Sequence, residues 1–360
     1  MAKDTEEREI ETQHVQPLST ATNKLTIKDF VWSSDEWPAI EYADFAKGDE
    51  IPVISFSKAL RAKSYDAVCE KMVDACEKFG FFVLVDRGVH SEIIENVREE
   101  CAKLFDLPMG QKMRGGRTAS LPLGYSASNP GYGHNLPWAE IIQLLQSSQQ
   151  VVSFAQKIYG DQHQSLREAI NEYTHALNGL GMAILEALAH GLGLQDDYFS
   201  KNFIDHKEST MIRINCYPPC PLPEKCLGLG SHSDPHTLTI LWQDEVGGLQ
   251  VQKSDSEWFG IRPVPSSLII NIGDTLEAWT NGRLKSSIHR AVVNKEKKRM
   301  SLAYFMSPED DTHIDCPVEL VGEDNSGRKY AAFTWGEFKR ELLIQKRVVG
   351  KTALHRYLIF

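Results

Sequence analysis

Apolar and polar positions change rhythm about halfway along this chain of 360 residues. Residues 1–25 are polar and aperiodic, which reads as a flexible tail. The stretch KLTIKDFVWSSDEWPAIEY carries aromatics at no regular spacing and is expected to wrap the outside of the fold. Ile51 to Phe56 reads as a short buried strand, with Pro52 at a first or edge position. Between Tyr65 and Phe79, Val68, Met72, Val73 and Cys76 recur at helical spacing, and Gly80 ends the run. FFVLV predicts a strand over 81–85, and a further helix follows from Ser91 to Leu107. From Ser165, the positions Leu166, Ile170, Tyr173, Leu177, Leu180, Ile184 and Leu188 predict one long amphipathic helix ending near Gly191.

After His206 the period shortens. MIRINCY, TLTILWQ, GLQVQ, SLIINIG, HRAVV and SLAYFM are alternating or continuous apolar runs split by Pro, Gly and Asn/Asp turns. Six such runs at short intervals predict an antiparallel barrel or double sheet, of which the jelly roll is one form. TWGEFKRELLIQKRV, near the C-terminus, returns to helical spacing. The expected organisation is the tail, a mainly helical region over 26–205 and a strand-rich region over 206–360 with a C-terminal helix, the last two forming one compact unit.

Composition narrows the function classes. Hydrophobic residues at 42% and charged residues at 24% suit a folded soluble protein. A net charge of −10 argues against nucleic-acid binding, which calls for a basic face. No apolar run approaches the roughly 18 residues that cross a bilayer, and the acidic start resembles no targeting peptide. Seven scattered cysteines suit reduced thiols, so the cytoplasm is the expected compartment. Cys216, Cys220 and Cys226 lack the fourth ligand and spacing of a zinc knuckle. Without coiled-coil heptads, a monomer is expected.

The sharpest local feature is Gly230-Ser231-His232-Ser233-Asp234-Pro235-His236, just before TLTILWQ. In extended chain, residues i and i+2 point the same way, so His232 and Asp234 can grip one ion. An HxD pair is common by chance. It gains weight from His289, which opens another apolar run 55 residues after Asp234 and can complete a two-His, one-carboxylate set for Fe(II) with open positions. His236 competes with His232, but the set fits better with His236 outside it. Ten residues beyond His289, Arg299 and Ser301 share a strand face. Alone they read as a surface ion pair; beside a metal triad, a guanidinium fork and a hydroxyl read as a carboxylate clamp.

HxD, His and RxS in this order, with Asn215-Cys216-Tyr217-Pro218-Pro219-Cys220 as an NxYPPC element, resemble the plant 2-oxoglutarate and Fe(II) dependent dioxygenases from about residue 27 to the end. The resemblance implies an α+β fold, a double-stranded β-helix (jelly roll) core flanked by helices. It also implies Fe(II), with 2-oxoglutarate and O2 as cosubstrates and ascorbate in support. Tyr217 and Asn215 would then adjoin the oxoacid beside Arg299 and Ser301, and His232, Asp234 and His289 would hold the metal. FVWSSDEWPAIE and Leu136-Pro137-Trp138-Ala139-Glu140 are most similar to gibberellin 20-oxidases, which implies a small-molecule substrate, a gibberellin or its precursor. Ala139, Ile141, Cys216 and Asp86-Arg87-Gly88 depart from that subfamily's pattern and leave a flavonoid, alkaloid or indole substrate open, as well as a catalytically silent ligand-binding protein. Leu136, Trp138, Phe305 and Phe333 are the expected substrate walls, and Arg87, Arg114 or Arg117 the expected partner of a substrate carboxylate.

Overall fold

In the computed structural model, the described residues are 26–38, 51–56, 64–86, 88–118, 123–127, 135–203, 209–254, 257–321, 327–344 and 353–359. The expected tail and Arg87 lie outside them, as does the far end of the predicted C-terminal helix. The N-terminal part contributes strands β1 (Val53–Ser55), β2 (Phe81–Val85), β3 (Gly124–Ser126) and β4 (Glu140–Leu145). Its helices are α1 (Tyr65–Lys78), α2 (Ser91–Phe105), α3 (Ser148–Tyr159) and α4 (Gln164–Gly191). Then come β5 (Met211–Tyr217), β6 (Leu227–His232), β7 (Leu238–Gln243), β8 (Leu249–Ser254), β9 (Glu257–Gly260) and β10 (Leu268–Ile272). Helix α5 (Asp274–Trp279), strands β11 (His289–Val292), β12 (Arg299–Met306), β13 (His313–Ile314) and β14 (Phe333–Thr334), and helix α6 (Trp335–Ile344) complete the order.

The core is two facing sheets. The larger runs β1-β2-β10-β7-β12-β5-β4-β3, and the smaller runs β6-β11-β8-β9. The expected jelly-roll class, α+β with helices outside, is the observed one. The helical first half also supplies half of the larger sheet, because β1 through β4 extend it at both ends.

Strand alternation explains the layering. On β2, Phe81 and Val83 join Leu249, Val251, Phe259 and Ile269 between the sheets. Phe82 and Leu84 point the other way into the main core, with Met72 and Val73 of α1, Val97 and Cys101 of α2, and Leu177, Ile184 and Leu188 of α4. The long periodic helix thus lies with α1 and α2 over the back of the larger sheet, and its Gly181 admits Met306 of β12. The predicted strand at 51–56 is shorter in fact, Val53–Ser55, and lies at a sheet edge, where Pro52 is tolerated.

The aromatic stretch expected outside the fold does more than wrap it. Ile27 and Phe30 are buried with Trp138, Tyr217 and Cys226, and Trp32 packs on Leu227. All seven cysteines are free and buried, and Cys216, Cys220 and Cys226 form no metal-ligand group among the described residues. No helix of the described residues is long and apolar enough to cross a membrane.

Candidate active site

The mouth between the two sheets holds a cavity of ≈ 230 Å³ lined by the HxD turn, His289, Arg299, Ser301, Asn215 and Tyr217. His232 ends β6 and stands opposite His289, which opens β11, and Asp234 follows on the turn into β7. His232 Nε2 lies 3.5 Å and His289 Nε2 3.7 Å from Asp234 Oδ1. These three are the only His/Cys/Asp/Glu group among the described residues able to share a metal ion. The predicted ligands therefore meet, and His236 stays outside, stacked on Phe305 at 4.7 Å with its Nδ1 2.7 Å from Ser307 Oγ.

Each donor atom is aimed by its neighbours. His232 Nδ1 lies 2.8 Å from the Gly230 carbonyl and His289 Nδ1 3.1 Å from that of Ser287. Carbonyls only accept, so both Nδ1 atoms carry hydrogen and both Nε2 lone pairs are left for the ion. Burial, then the adjacent His232 ring, pushes His289 down to about 4, which keeps it a neutral ligand near pH 7. Burial by itself raises Asp234, but the His289 and His232 rings and the Thr239 hydroxyl outweigh it and hold the carboxyl well below its usual range. Thr239 Oγ1 and Asn271 Nδ2 donate to Asp234 Oδ2 at 2.6 and 2.8 Å, which leaves Oδ1 as the ligand atom. The donor set and its hydrogen bonding fit Fe(II).

Helix α5 braces both ligand segments. Asp274 N donates to Asp234 O at 2.7 Å, and the Asp274 carboxylate accepts from Ser233 Oγ at 3.0 Å and Ser286 Oγ at 2.7 Å. One side chain thus ties the residue between two ligands to the segment leading to the third. Sequence reading missed Thr239, Asn271 and Asp274. Their signal was present: Thr239 and Asn271 are polar interruptions in TLTILWQ and SLIINIG, which a buried strand tolerates only when the group is hydrogen-bonded.

Arg299 and Ser301 lie on β12 opposite Tyr217 and Asn215 of β5. Arg299 is 2% exposed, which rules out a surface ion pair. Its guanidinium lies 4.9 Å from the Tyr217 ring centre and Nη2 donates to Gln243 Oε1 at 3.0 Å, while Nε and Nη1 have no partner. Asn215 Nδ2 donates to Ser301 Oγ at 3.3 Å. Unmatched donors this deep imply an anionic ligand.

The expected substrate walls divide. Phe305 lines the cavity. Leu136 and Trp138 do not: they are buried against Phe30 and Ile27, with Trp138 Nε1 donating to Pro218 O at 3.0 Å, and the intervening Pro137 reaches the cavity instead. The adjacent polypeptide 26–32 covers them, a contact that local spacing does not reveal. Phe333 packs on Phe338 and Tyr357 in the C-terminal cluster and does not line the cavity. Arg114 is exposed, and Arg117 Nη2 is engaged by Gln143 at 2.9 Å. Trp32, Gln143 and Arg213 line the cavity and were not anticipated.

Residues 208–308 match the model of the 2OG-Fe(II) oxygenase superfamily, and 51–169 that of the non-haem dioxygenase in morphine synthesis N-terminal region. Gibberellin 20 oxidase 1 of Arabidopsis thaliana is 37% identical over 316 residues, 86% of this chain and 82% of that protein. The chain belongs to the 2OG-Fe(II) oxygenase superfamily. Gibberellin 20 oxidase 1 of Oryza sativa subsp. japonica is 36% identical over 310 residues, 83% of this chain and 82% of that protein. Among solved structures, JOX2 in complex with 2OG, Fe and JA matches with a TM-score of 0.79 at 30% identity, covering 95% of this chain and 96% of that one. The dioxygenase for auxin oxidation in rice matches at 0.71 and 28%, covering 86% and 100%. This oxygenase is an oxidoreductase with Fe(II) as cofactor and 2-oxoglutarate as cosubstrate.

Proposed function

We propose that this oxygenase hydroxylates a gibberellin or gibberellin precursor as a cytoplasmic monomer. The observation that carries the chemistry is the convergence of three aimed ligand atoms and a half-matched buried guanidinium in one cavity. Sequence similarity to gibberellin 20 oxidases over most of the chain favours the substrate. In this reading His232 Nε2, Asp234 Oδ1 and His289 Nε2 hold the metal. Arg299 and Ser301 take the far carboxylate of the oxoacid, with Asn215 orienting the Ser301 hydroxyl and Tyr217 flanking the guanidinium. Bound Fe(II), with 2-oxoglutarate and O2, supplies an oxidative decarboxylation to succinate and CO2 that drives hydroxylation of a substrate C–H bond. The cavity walls, Trp32 and Phe305 among them, orient that bond and exclude water.

A second reading keeps the chemistry and changes the substrate to another plant metabolite, favoured by Ala139, Ile141 and Cys216, which depart from the gibberellin 20-oxidase pattern, and by solved relatives named for JA and auxin. Succinate formation by the purified protein with Fe(II), 2-oxoglutarate and ascorbate decides between them. The compounds to compare are gibberellin precursors, flavonoids, alkaloids and indoles, with His232→Ala as blank. Stimulation by a gibberellin precursor is expected. Stimulation by another compound alone transfers the assignment to it, and no turnover with any compound leaves a silent ligand-binding protein.

A further inference from the structure

Two segments that stand out in the sequence, FVWSSDEWPAIE and Leu136-Pro137-Trp138-Ala139-Glu140, take no part in the metal triad or the oxoacid clamp. The fold brings them together across more than a hundred positions. Asp29 O accepts from Leu136 N at 3.0 Å, Leu136 O accepts from Trp32 Nε1 at 3.3 Å, and the Phe30 and Trp138 rings meet edge to face at 5.0 Å. Backbone pairing fastens the first segment beside the residues that lead into β6, an edge strand of the smaller sheet: Val31 bridges to Cys226, and Trp32 N donates to Lys225 O at 3.0 Å. Trp32 precedes both regions matched to known families, 51–169 and 208–308.

What this joint achieves is the placement of one ring. Gly230 and His232 are two residues apart on β6, so their side-chain directions share a face. His232 uses that face to reach the metal position. A Cβ at Gly230 would lie 2.2 Å from Trp32 Cη2 and 2.5 Å from Cζ3, so the indole fills the space that a side chain would take. It therefore stands about 6.8 Å, one strand repeat, from a metal ligand. Trp32 and Pro137 line the cavity, whereas Phe30, Leu136 and Trp138 are buried against one another behind it. Core packing alone accounts for a buried tryptophan, but not for a ring seated on a glycine beside a metal ligand and facing the cavity. Its one polar atom, Nε1, is turned to Leu136 O, which leaves an apolar ring face for a ligand.

We propose that Trp32 is a specificity-determining residue of this oxygenase, the wall against which a rigid apolar ring system of the substrate is laid for oxidation, and that the two segments serve to seat it. The inference rests on the oxygenase reading above and narrows its substrate to compounds that present such a ring face. An indole held by its backbone, by Nε1 and by a glycine seat is a rigid surface, so it selects by shape with little loss of side-chain freedom on binding. The oxoacid clamp is separate from it, since Arg299 and Ser301 lie on β12 of the larger sheet.

The test is binding, which does not depend on turnover. Anaerobic protein loaded with Fe(II) and 2-oxoglutarate is titrated calorimetrically with a gibberellin-type diterpenoid acid, a flavonoid and an indole carboxylic acid. At least one is expected to bind the wild type. Trp32→Ala should weaken the preferred compound about tenfold or more and change the ratio of affinities among the compounds, while 2-oxoglutarate affinity stays within about threefold; Trp32→Phe, which keeps a ring, should retain part of the preference. A general loss of folding would not alter that ratio selectively. Thermal melts test the seat: Gly230→Ala should lower the melting temperature of the wild type but not that of Trp32→Ala, where the methyl group has room. The proposal is overturned if none of the compounds binds the wild type, if a folded Trp32→Ala keeps the wild-type affinities, if it weakens 2-oxoglutarate as much as the compounds, or if Gly230→Ala destabilises both backgrounds equally. Binding of 2-oxoglutarate to the Fe(II)-loaded wild type, measured first, reads on the oxygenase chemistry by itself. Its absence sinks that reading; its presence with unchanged affinities in Trp32→Ala sinks only this one.

Discussion

Asp234 shows how little of a metal site is metal ligand. Both its oxygens are committed, Oδ1 toward the two imidazoles and Oδ2 to Thr239 and Asn271. Removing Asn271 takes away one of the two donors that fix which oxygen faces the ion. Asn271→Ala should therefore weaken Fe(II) binding about 10- to 100-fold while the protein stays folded, measured by anaerobic titration against wild type. An affinity within error of wild type would mean that Thr239 alone fixes the carboxylate. A second residue-scale prediction concerns His190, at the end of α4, whose two nitrogens lie 2.9 Å from Asp196 and from Asp66 on α1. The hydrogen bonds to Asp196 and then Asp66 raise its pKa above the ordinary 6.5. The folded state binds that proton more tightly, so the stabilisation is complete below pH 6.5 and disappears as pH rises through the higher folded value. The site is largely open to solvent, so the effect is under about 1 kcal/mol. His190→Gln should lower the melting temperature by about one degree at pH 5.5 and leave it unchanged at pH 9; an equal loss at both would show that the charge contributes nothing.

At the scale of elements, the site depends on how closely α5 approaches the HxD turn. Gly273 caps that helix, and a Cβ there would lie 1.9 Å from the His236 carbonyl oxygen and 3.0 Å from that of Asp234. Neither is a flexible side-chain tip, so Gly273→Ala must push helix and ligand turn apart. We expect a stability loss of about 1–3 kcal/mol together with weaker Fe(II) binding. Gly179→Ala is the control: its Cβ meets nothing within 4 Å on α4, so it should stabilise by about 0.5–1 kcal/mol. Denaturant melts of the two variants should move in opposite directions. Elements of this kind also mark where sequence reading stops. Helices α1, α2 and α4 and strands β5, β7, β8, β10, β11 and β12 were legible because their apolar positions repeat. Strand β6 was not, since Gly228 and Gly230 take alternate positions where a Cβ would strike the Tyr217 and Trp32 rings. Helix α5 is six residues long and wholly buried, too short for a period and without a polar face. The metal triad and the clamp were legible because i, i+2 spacing on a strand determines direction. The substrate walls were not, because whether Trp138 or Pro137 meets the cavity depends on residues 26–32, more than a hundred positions earlier.

For the whole molecule, the position of the metal site relative to the core decides what the metal can contribute to stability. The main core lies between the larger sheet and α1, α2 and α4, and a second cluster fills the space between the sheets. The triad sits at the rim, with its side chains already held by carbonyls, Thr239, Asn271 and the brace from Asp274. Folding therefore does not wait on the ion, and metal stabilises only by mass action on the folded state. At a hundredfold excess over Kd this is about 2.7 kcal/mol, or roughly 3–4 °C for a chain of this length. Adding a chelator to Fe(II)-loaded protein should lower the melting temperature by that amount and leave a single cooperative transition, while abolishing succinate formation. The opposite result, loss of the transition on chelation, is what a structural metal would produce. It would move the triad from chemistry to scaffolding, and the expected small shift keeps it where the open cavity and the unmatched donors of Arg299 put it.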